Sequence, residues 1–150
     1  MKNRFKSFIT SKFLWFFLGS IVTILVIFCY TFVTSYDKTL DRTLPSQVNY
    51  KGESFFTPLS ARIYGYLDSS HGNKKLYFRQ LPAKETAIVI TVPSRARLYV
   101  YSSDENSILV RYEPFKGIKR NYKISGYGNF DKVLNAFYEL TGNEVFKSIT

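Results

Sequence analysis

The fold class that the sequence predicts is a single N-terminal transmembrane helix followed by a small β-rich (α+β) domain. Three observations predict it: an uncharged run of 21 residues from Phe13 to Val33, a switch to period-two alternation after Pro58, and one amphipathic stripe near the C-terminus. The expected organisation is a basic cytoplasmic tail over residues 1–12, a transmembrane helix over 13–33, a tether over 34–58 and an extracytoplasmic β-rich domain over 59–150. About six antiparallel strands in a meander or small barrel, with one C-terminal helix, make up that domain.

The uncharged run reads FLWFFLGSIVTILVIFCYTFV. As a helix it extends about 31 Å, close to the hydrocarbon thickness of a bilayer. Fourteen of its residues are Leu, Ile, Val or Phe, and on insertion scales they sum to roughly −4 to −8 kcal/mol. Only Ser20, Thr23 and Thr31 are mildly polar. Lys2, Arg4, Lys6 and Lys12 precede the run, whereas Lys38 and Arg42 alone follow it closely. The positive-inside rule therefore puts the N-terminus in the cytoplasm and the domain outside; the membrane is expected to be the cytoplasmic (inner) membrane of a bacterial cell, which the lack of an N-x-Ser/Thr sequon fits. Trp15 at one end and Tyr30 and Tyr36 at the other suit the interfacial aromatic belts. A cleaved signal peptide with Val33-Thr34-Ser35 as its site is the competing reading, but signal peptides carry only about 7–15 apolar residues. Phe28 directly before Cys29 argues against lipoprotein processing. Gly19 and Thr23 form a small-residue pair whose simpler reading is a lipid-facing turn.

Residues 34–58 are polar, contain Pro45 and Pro58, and show no helical stripe; at most a short strand is expected near Val48–Lys51. The segments 60–67, 74–80, 86–92, 96–102, 107–113 and 120–125 are rich in Tyr, Ile, Val and Phe and read as strands. Between them lie turn residues such as Leu81-Pro82-Ala83, Pro93-Ser94 and Pro114-Phe115-Lys116-Gly117. The helix is predicted from Asn129 as N-cap, Asp131 in the first turn, apolar residues at Phe130, Val133, Leu134, Phe137 and Leu140, and Gly142 as the stop. Val145, Phe146 and Ile149 are expected to add a last strand.

Composition narrows the chemistry. The net charge is +10, and from Asp37 onward 17 Lys and Arg face 11 Asp and Glu, a balance of +6. A basic outer domain favours anionic partners. Cys29 is the only cysteine and lies inside the apolar run, so no intramolecular disulfide forms. His71 is the only histidine, on a predicted hairpin tip beside Asp68, Ser69 and Ser70; a solvated tip is a poor place for a nucleophile triad. Without a second histidine or an outer thiol, no metal site and no cofactor is expected. Glu53, Asp68, Glu85, Asp104, Glu105 and Glu113 fall in turns, the tether or strand ends. They revive a cell-envelope glycan-acting hydrolase only where two of them meet across a cleft. Gly126-Tyr127-Gly128 lacks the third glycine and the lysine of phosphate loops and reads as a turn into the helix.

The most informative pattern is the partition of residues between strand faces. Arg62, Tyr64 and Tyr66 alternate with Ala61, Ile63 and Gly65; Lys75, Tyr77 and Arg79 alternate with Leu76 and Phe78; Arg97, Tyr99 and Tyr101 alternate with Ala96, Leu98 and Val100. Read as strands, these place Arg62, Tyr64, Tyr66, Tyr77, Arg79, Arg97, Tyr99 and Tyr101 on one side of the sheet. One account is the solvated face of an antiparallel sheet. The other is a partner or ligand surface, since Tyr and Arg anchor interfaces at small entropic cost. Single-stranded nucleic acid suits the same interleaving but is a scarce partner outside the membrane.

The expectation is a membrane-anchored, non-enzymatic extracytoplasmic binding module. It is read as an accessory or sensor partner of another membrane protein, or as a binder of a small amphipathic or anionic ligand, with an immunity-type protein as a variant. A glycan-acting hydrolase and a structural subunit of a secretion or division complex are the alternatives. With one N-terminal span and a short outer β-rich domain, the chain resembles in layout the ToxS-like periplasmic partners of membrane-bound transcription regulators.

Overall fold

The uncharged N-terminal run is helical. In the computed structural model, residues 2–34, 40, 43–67, 73–126 and 128–148 are described, with residues 2–9, 30–34 and 73 as backbone alone. Helix α1 covers Lys2–Thr34, so it also takes in most of the basic segment expected as a tail. Its Thr10–Cys29 stretch has 20 residues of mean hydropathy 2.2, by length and composition enough to cross a membrane. The Ser20 and Thr23 hydroxyls donate to the carbonyls of Phe16 (2.9 Å) and Gly19 (2.8 Å), so both are satisfied within the helix. The chain divides into two compact units, residues 1–36 and 37–150.

The second unit is built on a seven-stranded antiparallel sheet. Its strands are β1 (Pro45–Tyr50), β2 (Glu53–Pro58), β3 (Asn73–Leu76), β4 (Ile88–Thr91), β5 (Arg97–Ser102), β6 (Ser107–Phe115) and β7 (Ile118–Ser125), in spatial order β2-β1-β4-β5-β6-β7-β3. The sheet is open, with β2 and β3 as its edges; it does not close into a barrel.

The first two strands occupy most of the segment expected to be a tether. Ser46, Val48 and Tyr50 alternate with Gln47 and Asn49, and only the first set is buried. Polar residues on the open side hid the alternation. Lys51 (φ 48°) and Gly52 (φ 85°) close the hairpin with two left-handed residues, the backbone that two-residue hairpins favour.

The segment expected as the first strand is instead helix α2, Ala61–Leu67. Leu59, Ile63 and Leu67 recur every four residues and all are buried, a helical spacing that outweighs the alternation of tyrosines. The Ser60 hydroxyl accepts from the Ile63 amide (3.3 Å) at its start. The predicted tip at 68–72, with Asp68 and His71, lies outside the described residues.

Helix α3 runs Phe130–Thr141 as expected. The Asn129 side chain accepts from the Lys132 amide (2.9 Å), and Gly142, at φ 66°, donates to the Tyr138 carbonyl. Val133, Leu134, Ala136 and Phe137 are buried, while Leu140 sits at the rim of the stripe with 37% of its surface exposed. A side chain at Gly128 would force the Tyr66 ring to move, because a Cβ there would lie 2.7 Å from its Cδ1.

Both helices cover one face of the sheet, formed by Val48, Ile88, Ile90, Leu98, Val100, Ile108 and Val110. Phe146 is fully buried there, its ring centroid 5.6 Å from Tyr50, 5.2 Å from Phe55 and 5.3 Å from Phe137. It belongs to a 3-10 turn, Glu144–Phe146, where a last strand was expected; Ile149 is outside the described residues.

The opposite face is crossed by the connection from β3 at the edge to β4 inside the sheet. This connection, residues 77–87, contains a second 3-10 turn, Lys84–Thr86. Tyr77, Leu81 and Ala87 pack with Val89 against Tyr99, Tyr101 and Leu109. The strand expected over 74–80 is therefore short, and the next begins at Ile88.

Candidate functional site

The eight residues expected to share one face are divided among three places. Arg62, Tyr64 and Tyr66 are on α2, on the helix-covered side. There Arg62 forms an ion pair with Glu139 of α3, and Tyr66 packs against Gly128. Tyr77 and Arg79 belong to the crossing segment; Tyr77 packs inward and Arg79 is exposed. Arg97, Tyr99 and Tyr101 do share one side of β5, but only Arg97 is open to solvent. Tyr99 and Tyr101 are 2% and 0% exposed, so they are core beneath the crossing segment and not a watered face. Burial pushes the Tyr101 phenol above its ordinary value.

Two of the eight, Arg97 and Tyr99, line a cleft that the sequence did not reveal. Its volume is about 870 Å³, and three separate stretches of chain wall it. Lys84 comes from the crossing segment, Ser94, Arg95 and Arg97 from the β4–β5 hairpin, and residues 113–117 with Lys119 from the β6–β7 hairpin. Hairpin pairing brings the last two together: Arg97 of β5 stands directly opposite Glu113 of β6. Because β4–β5 and β6–β7 both turn at the same end of the sheet, their basic residues collect there.

Five cations, Lys84, Arg95, Arg97, Lys116 and Lys119, surround this cleft against one carboxylate, Glu113. Among the described residues, no carboxylate lies within ion-pair distance of any of the five. The Lys84 ammonium rests 5.2 Å from the centre of the Tyr99 ring. Arg95 holds φ at 66°, the left-handed backbone that a glycine ordinarily fills. The turn closes through the Arg95 amide to the Val92 carbonyl (2.8 Å) and the Val92 amide to the Ala96 carbonyl (3.0 Å).

The other end of the sheet differs in charge. Asp104 and Glu105 lie in the β5–β6 turn, and Asp104 pairs with Lys123. The hydrogen bond and charge of Lys123 hold the Asp104 carboxyl below its ordinary value. Among the described residues, the five cations of the cleft therefore have no carboxylate in ion-pair contact, whereas Lys123 at the other end does.

Chemically, the cleft offers ammonium and guanidinium donors beside an aromatic ring. Such a set holds carboxylate, phosphate or sulfate groups, with arginine able to grip two oxygens at once. Among the described residues, no three of His, Cys, Asp and Glu come together. No family model matches this chain, and neither does any curated protein or solved structure.

Proposed function

We propose that this chain is a single-pass membrane protein, cytoplasmic at its N-terminus, whose outer domain is a non-enzymatic module that captures anionic groups. The module serves as an accessory or sensor partner, binding an acidic portion of another membrane protein or an anionic amphiphile. The observation that supports this reading is the cleft with five cations against one carboxylate. Clustered like charges repel one another, and a bound anion relieves that repulsion while gaining charge-assisted hydrogen bonds.

The cleft replaces the tyrosine face as the recognition surface, because Tyr99 and Tyr101 contribute to folding and Arg97 alone among the β5 trio is free to meet a ligand. Full-length protein in a neutral detergent should bind a small polyanion, inorganic tripolyphosphate, as read by calorimetry. Affinity should fall at least about tenfold as salt rises from about 50 mM to about 0.5 M, since screening acts on exposed charges. Binding that is absent, or indifferent to salt, would contradict the reading.

A further inference from the structure

The basic end of the sheet carries apolar side chains as well as cations. At the β6–β7 hairpin, Phe115 is 65% exposed and pairs with Ile118, which is 45% exposed, with Lys116 and Gly117 between them. Lys119 follows directly. Leu44, just before β1, is 48% exposed, and β1 begins at this same end because Gln47 faces Thr91, the last residue of β4. Exposed apolar residues interleaved with Lys and Arg are the composition of surfaces that rest on a bilayer, the apolar parts entering the interface and the cations meeting headgroups.

The covalent chain supplies a second argument. Ten residues, 35–44, separate α1 from β1. A fully extended segment of that length reaches only about 33–36 Å. If α1 spans the membrane as proposed above, the lipid headgroups are the anionic groups held at highest effective concentration around the domain.

We propose that the basic end of the sheet is a docking surface for anionic phospholipid headgroups of the membrane in which the protein is anchored. Phosphate oxygens enter the cleft between Arg95, Arg97 and Lys119, while Phe115 and Ile118 lie in the interface. The inference rests on the anion-capturing reading and assigns its ligand class.

The test uses full-length protein in nanodiscs, in a Cys29→Ser background, with a fluorophore on Ser94→Cys at the basic end or on Glu105→Cys at the opposite end. Discs contain a headgroup-nitroxide lipid in either zwitterionic phosphatidylcholine or a mixture with phosphatidylglycerol. The Ser94 reporter should be quenched on the order of twofold more in anionic discs, and the Glu105 reporter should not distinguish them. About 0.5 M salt should reverse the difference. Arg95→Gln with Lys116→Gln and Lys119→Gln should weaken docking by on the order of a hundredfold. Equal quenching in both discs, or quenching that ignores salt and charge removal, overturns the proposal. Tripolyphosphate binding separates the two failures: if it persists, lipid docking alone falls; if it is also lost, the anion-capturing reading falls with it.

Discussion

Phe146 is where the stability of the outer domain is most exposed to test. Its ring is fully buried and meets Tyr50, Phe55 and Phe137 at 5.2–5.6 Å, so it joins the 3-10 turn near the C-terminus to β1, β2 and α3. Phe146→Ala removes the ring from four-way packing that has little freedom to collapse. Truncations of this kind cost about 3–5 kcal/mol, a large part of the stability of a small domain. At roughly 4 °C per kcal/mol, the melting temperature should drop by about 12–20 °C. Leu140→Ala is the internal control. Leu140 belongs to the same predicted stripe but is 37% exposed, and its truncation should cost under about 1.5 kcal/mol. Thermal melts of full-length protein in detergent, followed by near-ultraviolet circular dichroism, read both. If Phe146→Ala costs no more than Leu140→Ala, the C-terminal turn does not complete this core.

Arg95→Gly should raise stability by about 0.5–1 kcal/mol, since relief of the left-handed backbone exceeds the added freedom of the unfolded chain. The same change should weaken tripolyphosphate binding, and a loss of stability would show that the arginine is not strained. Alkaline pH should destabilise the domain, because burial raises the Tyr101 and Tyr50 phenols in the folded state above 10.0. Their contribution is complete below the unfolded value and declines as pH rises toward the folded ones. Melts above pH 10 should therefore fall less steeply in Tyr101→Phe than in wild type, and identical slopes would remove burial as the cause. Protease added to intact spheroplasts should digest the domain and spare the N-terminal segment, whereas protection until permeabilisation would reverse the proposed orientation.

Parts of this architecture were legible because local chemistry and tertiary packing agree. Asn129 and Gly142 bound α3 as cap and stop, and alternation in 97–102 and 107–113 marks β5 and β6 because one face of each is aliphatic. Ala61–Leu67 failed for a physical reason: tyrosines at alternate positions imitate a strand, while the decisive spacing of Leu59, Ile63 and Leu67 spans only two turns. The hairpin of β1 and β2 was obscured by Gln47, Asn49 and Ser54 on its open side. The parity of Arg97, Tyr99 and Tyr101 was right, yet burial depended on the segment crossing above them, which follows from β3 pairing with β7. The cleft was hidden for a similar reason. Lys84, Arg95 and Lys116 lie in three turns that only the strand order brings together. Pro93-Ser94 and Pro114-Phe115-Lys116-Gly117 were visible as turns, but nothing local joins the two.

The central claim is that recognition belongs to the cleft and not to the tyrosine-bearing segments elsewhere. Arg97→Gln with Lys119→Gln removes two cations from the cleft, whereas Arg62→Gln with Arg79→Gln removes two cations outside it. The net charge of the two double variants is the same, so a difference between them does not come from net charge, and melts of both variants account for the loss of the Arg62–Glu139 pair. Tripolyphosphate titration of both should show the cleft pair weakened at least about tenfold, the scale of losing one or two charge-assisted hydrogen bonds, and the outer pair within about twofold of wild type. Equal losses in both variants, or the larger loss in the outer pair, would contradict the assignment.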